Sequence, residues 1–337
     1  MHLFVQEKGV FIAKHQGRLR VTRDRERLQE APLLHLQQVI ISGGGVGISS
    51  DAIRACAEEG IPIHFLSISG TPHASLYSAG LTGTVLTRRA QLRAYDSEVG
   101  VLLARAFTQG KLQNQANLLR YVAKYRKEVD PALHATLTTV AAEVVDSLQA
   151  VRKVPGATVD DLREELLGVE GRYAARYWGA LAALVPPELG WPGRETRGAS
   201  DPFNQALNYG YGVLYAQVEY AIVLAGLDPY AGLLHADRPG KPSLVLDLIE
   251  EFRQPVVDRT LLGQVNRGWT IGRDEDGRLD AATRERIAEK VLERLESTEA
   301  YEGKRQPIRH ILQCQARHIA TFVRGERAVY TPFVMGW

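Results

Sequence analysis

Two hydrophobic periods divide the chain. Over the first eighty positions apolar residues come in short β-rich runs, and beyond residue 90 they recur at helical spacing. Runs at 3–6, 10–14 and 19–22 are separated by Glu7-Lys8-Gly9 and Gln16-Gly17, the turn chemistry of consecutive hairpins, so they predict a meander. A strand at 39–42, a helix at 51–59 closed by Gly60 and a nearly continuous apolar strand at 61–66 follow, with 76–78 and 85–86 as further edges. The helical part reads as 90–109 closed by Gly110, then 111–127 and 133–151. After the break VPGATVDD, Thr158 and Asp161 form a capping box for a fourth helix. Asp201-Pro202 opens a long helix that Gly226 ends, Ser243 caps the next, and 255–262, 281–295 and 307–323 complete the set. The fold class is therefore α+β, with a small β-rich domain over 1–85 followed by a larger all-α domain over 90–337.

Composition narrows this picture only a little. At 337 residues and 45% hydrophobic the chain is long enough for two cores, and 41 basic against 39 acidic residues leave a net charge of +2 that says nothing about nucleic acid. Cys56 and Cys314 are too few for a disulfide framework or a cysteine zinc site and fit a reducing cytoplasm. The start MHLFVQEKGV has no signal-peptide pattern, and no run approaches the roughly 20 apolar residues of a membrane span, so a cytoplasmic, unanchored protein is expected. There is no hydrolase elbow and no P-loop string. Gly43, Gly44, Gly45 and Gly47 follow a strand and precede a helix but miss the G-x-G-x-x-G spacing, so they read as a packing turn.

Chemistry concentrates in LLHADRPGKPSLVLDLIEEFR, residues 233–253. His235 precedes a turn carrying Pro239, Gly240 and Pro242, and the helix beyond it puts Asp247 and Glu250, three apart, on one face. Glu251 is turned away by about 100°, so its replacement is expected to be nearly silent in metal-dependent activity. Imidazole plus carboxylates without thiolate suits Mg²⁺ or Mn²⁺ better than zinc. A solvated helix face and a structural histidine would look the same in sequence. Glu170 sits in LLGVEGRYAARYWGAL among apolar and small residues, where a carboxylate must be neutral, paired or metal-bound; Arg172 and Arg176 are the obvious ion partners. Asn204 and Asn208 share a helix face, either lining a site or simply facing water. Near the end, Lys304, Arg305, Arg309, Arg317 and Arg324 form a basic strip beside the apolar Ile308, Ile311, Leu312, Ile319 and Phe322. The closing VYTPFVMGW reads as packing.

Four strings carry a resemblance that covers nearly the whole chain. Gly232-x-x-His235 followed by DLIEEFR, EGRYAARYW around Glu170, DPFNQALNYGY from Asp201 and KLQNQANLLRY from Lys111 together resemble the Cas1 family of CRISPR-associated integrase-endonucleases. The resemblance implies a homodimer paired through the β-rich domain. It also implies a divalent-metal-dependent DNA endonuclease and integrase, working with the small protein Cas2 on double-stranded and branched DNA. Captured fragments would be inserted as spacers into a CRISPR array by 3′-hydroxyl attack on repeat phosphodiesters. Glu170, His235 and Glu250 would hold Mg²⁺ or Mn²⁺, with Asp247, Asn204 and Asn208 supporting them. Arg238, Lys241 and Arg253, with Lys304, Arg305, Arg309 and Arg317, would meet DNA phosphates. A DNA-binding assembly protein without chemistry, or a phosphoesterase on other substrates, would share most of these features.

Overall fold

The computed structural model describes residues 1–78, 84–196 and 198–336. Strands β1 (His2–Val5), β2 (Phe11–His15), β3 (Arg18–Arg23), β4 (Glu26–Pro32), β5 (Gln38–Ser42), β6 (Gly47–Ile48), β7 (Ile63–Leu66) and β8 (Pro72–Leu76) form two four-stranded sheets. Helix α1 (Ser50–Glu58) lies between β6 and β7 in sequence. The sheet orders are β4-β3-β2-β6 and β1-β5-β7-β8.

The meander expected from β1 to β3 is only partly present. Strands β2, β3 and β4 pair antiparallel, but β1 leaves for the other sheet and pairs parallel with β5, Leu3 opposite Val39. Burial decides this: β5 is covered on both faces, and beside it Leu3 and Val5 enter the N-terminal core while Phe4 packs on the helical core. Strand β4 escaped detection because ERLQEAP is a solvated edge with little apolar periodicity. Gly43 and Gly45 take positive φ, and the Gly45 carbonyl accepts from the Gly9 amide, so the glycine run closes a turn. Residues 85–86 are helical rather than an edge strand.

Helices α2 (Thr84–Ala94), α3 (Glu98–Lys124), α4 (Pro131–Lys153), α5 (Val159–Ala182) and α6 (Pro202–Leu224) begin the helical part. Asp161 accepts from the amides of Thr158 and Ala157, as the capping box requires, and Asp201 accepts from the Asn204 amide at 2.8 Å. Gly110 does not end a helix. Helix α3 runs straight through it, and a side chain there would meet Pro332 at 2.9 Å and Glu251 at 3.1 Å; the glycine marks a close approach, and the break falls instead at Ser97. Beyond α6 come α7 (Ser243–Ile249), a π-helical stretch Arg253–Asp258 containing Pro255, α8 (Arg259–Val265) and α9 (Ala281–Glu296). A hairpin of β9 (Thr298–Tyr301) and β10 (Lys304–Pro307), unforeseen from sequence, leads into α10 (Ile308–Val323). Ser243 is the first residue of α7 rather than its cap, and its hydroxyl ties down the preceding loop through the Gly232 amide and the Tyr230 carbonyl.

The two parts are packed together. Ile40 and Leu66 point out of the β1-β5-β7-β8 sheet into the helical core, Gln217 donates to Gln38 at 2.6 Å, and Ser42 and Tyr209 share a 2.9 Å hydrogen bond. The turn after β7 presses its backbone onto α6 so closely that a Cβ on Gly212 would lie 1.6 Å from the Gly70 carbonyl oxygen. Among the described residues no helix is long and apolar enough to cross a membrane.

Candidate metal centre

Helices α5 and α7 both pack against α3, and each brings one carboxylate to the same place. Glu170 and the C-cap residue Glu250 are both buried, and the ammonium of Lys111 on α3 stands between them, 2.5 Å from Glu170 Oε1 and 2.8 Å from Glu250 Oε2. Arg253 adds a second cation, its Nε 3.2 Å from Glu250 Oε1. Burial alone would raise the Glu250 pKa, but Arg253 and Lys111 beside it outweigh burial and hold the carboxyl down to about 2. Burial likewise opposes the charge on Lys111, and the two glutamates override it, so the ammonium persists. The arginines that sequence suggested for Glu170 do not take this role. Arg172 is exposed, and Arg176 pairs with Glu143 at 2.7 Å.

His235 is fixed from behind. Asp247 accepts from the amides of Leu233, Leu234 and His235, and its Oδ1 lies 2.8 Å from His235 Nδ1. With that carboxylate accepting from Nδ1–H, the imidazole keeps Nε2 as its lone-pair nitrogen. Asp247 therefore orients the histidine and has no oxygen left over for an ion.

Among the described residues no three of His, Cys, Asp and Glu already stand at metal-holding geometry, and Lys111 stands between two of the carboxylates. The donor set nevertheless fits a hard divalent ion. Glu170 Oε2 is buried without a hydrogen-bond partner, Glu250 stays ionised, and the His235 ring is oriented by a carboxylate as metal-binding histidines commonly are.

Comparison with known proteins places the chain in a family. The sequence profile described as "CRISPR associated protein Cas1" matches residues 3–293. The chain belongs to the Cas1 family. A "CRISPR-associated endonuclease Cas1" from Archaeoglobus fulgidus is 36% identical over the full length of both chains. The chain is thus an enzyme of a CRISPR-associated nuclease family. Two solved structures share the fold. "Casposase bound to integration product" has a TM-score of 0.83 at 23% identity, covering 98% of this chain and 92% of that one. "Cas6-RT-Cas1--Cas2 complex" has a TM-score of 0.73 at 20% identity, covering 99% of this chain and 36% of the longer one.

On the far side of Arg253 from Glu250 this Cas1-family chain has a cleft of about 590 Å³, lined by the turn Ser69-Gly70-Thr71, by Asn208 and Tyr211 of α6, and by Arg194, Arg253 and Arg278; Glu170, His235, Glu250 and Lys111 are not in its lining. Asn204 is wholly buried and Asn208 lies at the cleft; both accept from Arg194, and both also bond backbone of the loop that carries it. The asparagines thus shape the loop over the cleft. The Arg194 and Arg253 guanidiniums both lie over the Tyr211 ring, 5.3 and 4.7 Å from its centre. Its hydroxyl and that of Tyr177 both donate to buried Asp258, whose carboxyl burial pushes up to about 6.

The remaining basic residues are dispersed. Arg238 is exposed and Lys241 half-buried in the tight turn between His235 and α7. Lys304 and Arg305 are exposed on β10, and Arg317 is exposed on α10. Arg309 turns inward to Glu296 and Gln217, both at 2.6 Å, so it stands apart from the exposed strip; Arg324 pairs with Glu326. Sequence reading missed Lys111 and Arg194. Lys111 stood at the head of the KLQNQANLLRY string, and Arg194 in a loop whose other residues, Arg197 excepted because it lies outside the described residues, gave no periodic signal.

Proposed function

We propose that this protein is a divalent-metal-dependent DNA endonuclease and integrase, which inserts captured fragments into a CRISPR array by 3′-hydroxyl attack on repeat phosphodiesters. The observation that carries this reading is the meeting of Glu170 and Glu250 beside a histidine held by Asp247. Glu170, His235 and Glu250 are the residues to hold Mg²⁺ or Mn²⁺, and a bound ion supplies Lewis-acid polarisation of the phosphate and charge stabilisation at the leaving oxygen. Arg253 and Arg194 flank the cleft and orient a phosphodiester against the carboxylates. Hydrolysis and strand transfer then differ only in whether water or a 3′-hydroxyl is seated there. The test is strand transfer into branched and supercoiled DNA with Mg²⁺, Mn²⁺ or chelator. DNA binding without products would favour an assembly role, and turnover of small phosphoesters alone a different hydrolase.

Asp247→Asn turns an amide NH₂ toward groups that now donate to the carboxylate, so the His235 ring loses its anchor. Mn²⁺ affinity and strand transfer are expected to fall by about 10–100-fold in a folded protein. Unchanged Mn²⁺ binding would leave Asp247 as a loop brace only.

Residues 1–85 are read as the pairing domain of a homodimer, to be checked by light scattering. Cas2 and branched duplex DNA are read as partners; of the two structures that share the fold, one is a complex with Cas2 and the other is bound to an integration product. Among the basic residues, Arg317→Gln is expected to weaken DNA binding irrespective of sequence and to make the log-log salt slope shallower by about 1. Arg309→Gln should spare the slope, because that guanidinium faces Glu296 and Gln217. The reverse ranking of the two slopes would reassign the DNA-facing side of α10.

A further inference from the structure

Four charges at the centre cancel without any ion. Glu170 and Glu250 are matched by Lys111 and Arg253, and little solvent reaches them: the side chains of Lys111, Glu170 and Glu250 are 14%, 12% and 4% exposed. Two more positive charges placed here would meet carboxylates already neutralised, in surroundings where salt screens weakly. Yet the site is not closed to an ion. Lys111 holds only Oε1 of Glu170, and Oε2 of the same carboxylate is buried with no hydrogen-bond partner.

We propose that Lys111 is an internal counter-cation that makes metal binding conditional on a phosphodiester in the cleft. This rests on the metal reading above. The phosphodiester arrives on the Arg253 side, where the cleft opens, and brings the negative charge that the centre lacks once an ion is added. It also offers Lys111 a new acceptor, and an ammonium with three donors can leave the carboxylates for a phosphate oxygen without losing its charge partner. Metal and DNA therefore bind cooperatively, each raising the affinity of the other by the same factor. An uncommitted nuclease centre is kept empty by the same device. A lysine that merely braced α3 against α5 and α7 would produce none of this coupling.

The experiment titrates Mn²⁺ into the full chain by electron paramagnetic resonance, alone and with a branched duplex whose junction carries a charged methylene phosphonate that cannot be hydrolysed. In the wild type the DNA is expected to tighten Mn²⁺ at least tenfold. Lys111→Met, which keeps the stem and removes the charge, is expected to bind Mn²⁺ at least tenfold tighter than wild type without DNA, and to gain little when DNA is added. A wild-type Mn²⁺ affinity indifferent to DNA would overturn the proposal, and that measurement needs no variant to fold. So would a folded Lys111→Met protein that binds Mn²⁺ no tighter. Glu250→Gln separates the two levels of inference. If it abolishes Mn²⁺ binding while Lys111→Met fails to tighten it, only the role of Lys111 falls. If Mn²⁺ binding survives in Glu170→Gln, His235→Ala and Glu250→Gln alike, the metal centre falls with it.

Discussion

Glu250→Gln is expected to abolish metal-dependent cleavage and strand transfer, with a loss well beyond the roughly 10–100-fold typical of residues that only orient a metal ligand. The amide preserves shape but removes the one carboxylate that both Lys111 and Arg253 approach. Glu170→Gln and His235→Ala should be equally severe, since α5, the loop before α7 and α7 itself each supply one group. Glutamine is preferable to alanine at 250, because it keeps the side-chain volume and a carbonyl oxygen to which Lys111 and Arg253 can still donate, where truncation would also open a cavity. DNA binding measured with chelator present should survive in all three variants, while the gain in DNA affinity that Mn²⁺ brings is lost with the metal. Strand-transfer products on a branched substrate are the readout. Wild-type rates for Glu250→Gln in Mn²⁺, with Asp247→Ala inactive, would exchange the roles of the two acids on α7.

Glu251→Ala is expected to destabilise the protein by roughly 3 kcal/mol or more, although its side chain points away from the metal centre. Glu251 is wholly buried and accepts from Gln315 at 2.7 Å, from the Tyr330 hydroxyl at 2.6 Å and from the Phe333 amide at 2.8 Å. It therefore anchors the C-terminal segment, whose Phe333 ring stacks on Phe252 and whose Phe333 carbonyl accepts from Asn114 on α3. Trp337, the last residue of that aromatic string, lies outside the described residues. Burial pushes the Glu251 carboxyl up to about 7, against the pull of its three donors. An acid whose folded pKa is raised contributes its stability fully below its ordinary value of 4.5 and loses it as pH rises through 7. Glu251→Gln can keep the contacts, with its carbonyl facing Gln315 and Phe333 and its NH₂ facing the Tyr330 oxygen. It should match wild type near pH 4 and exceed it at pH 8 by on the order of 3 kcal/mol. Thermal melts across that range are the check. A Glu251→Ala protein as stable as wild type, with its tail still protected from carboxypeptidase, would remove Glu251 from this anchoring role.

The sequence by itself determined the change from strands to helices, the caps at Asp161 and Asp201 and the strings around Glu170, His235 and Glu250 by which the family is recognised. These are local properties: an apolar period reports which face of an element is buried, and a cap needs only residues within one turn. What it could not determine is which polar group crosses from a distant element. Lys111 reaches Glu170 across 59 residues of sequence, β1 chooses β5 over the nearer β2, Gly110 yields to Pro332 and Glu251, and Arg309 turns toward Gln217 instead of solvent. In each case the deciding partner lies on an element far away in the chain, and its approach is set by how whole helices and sheets pack. The carboxylates of the centre were therefore legible as residues, but the cation between them, and with it the charge balance of the site, came only with the tertiary structure.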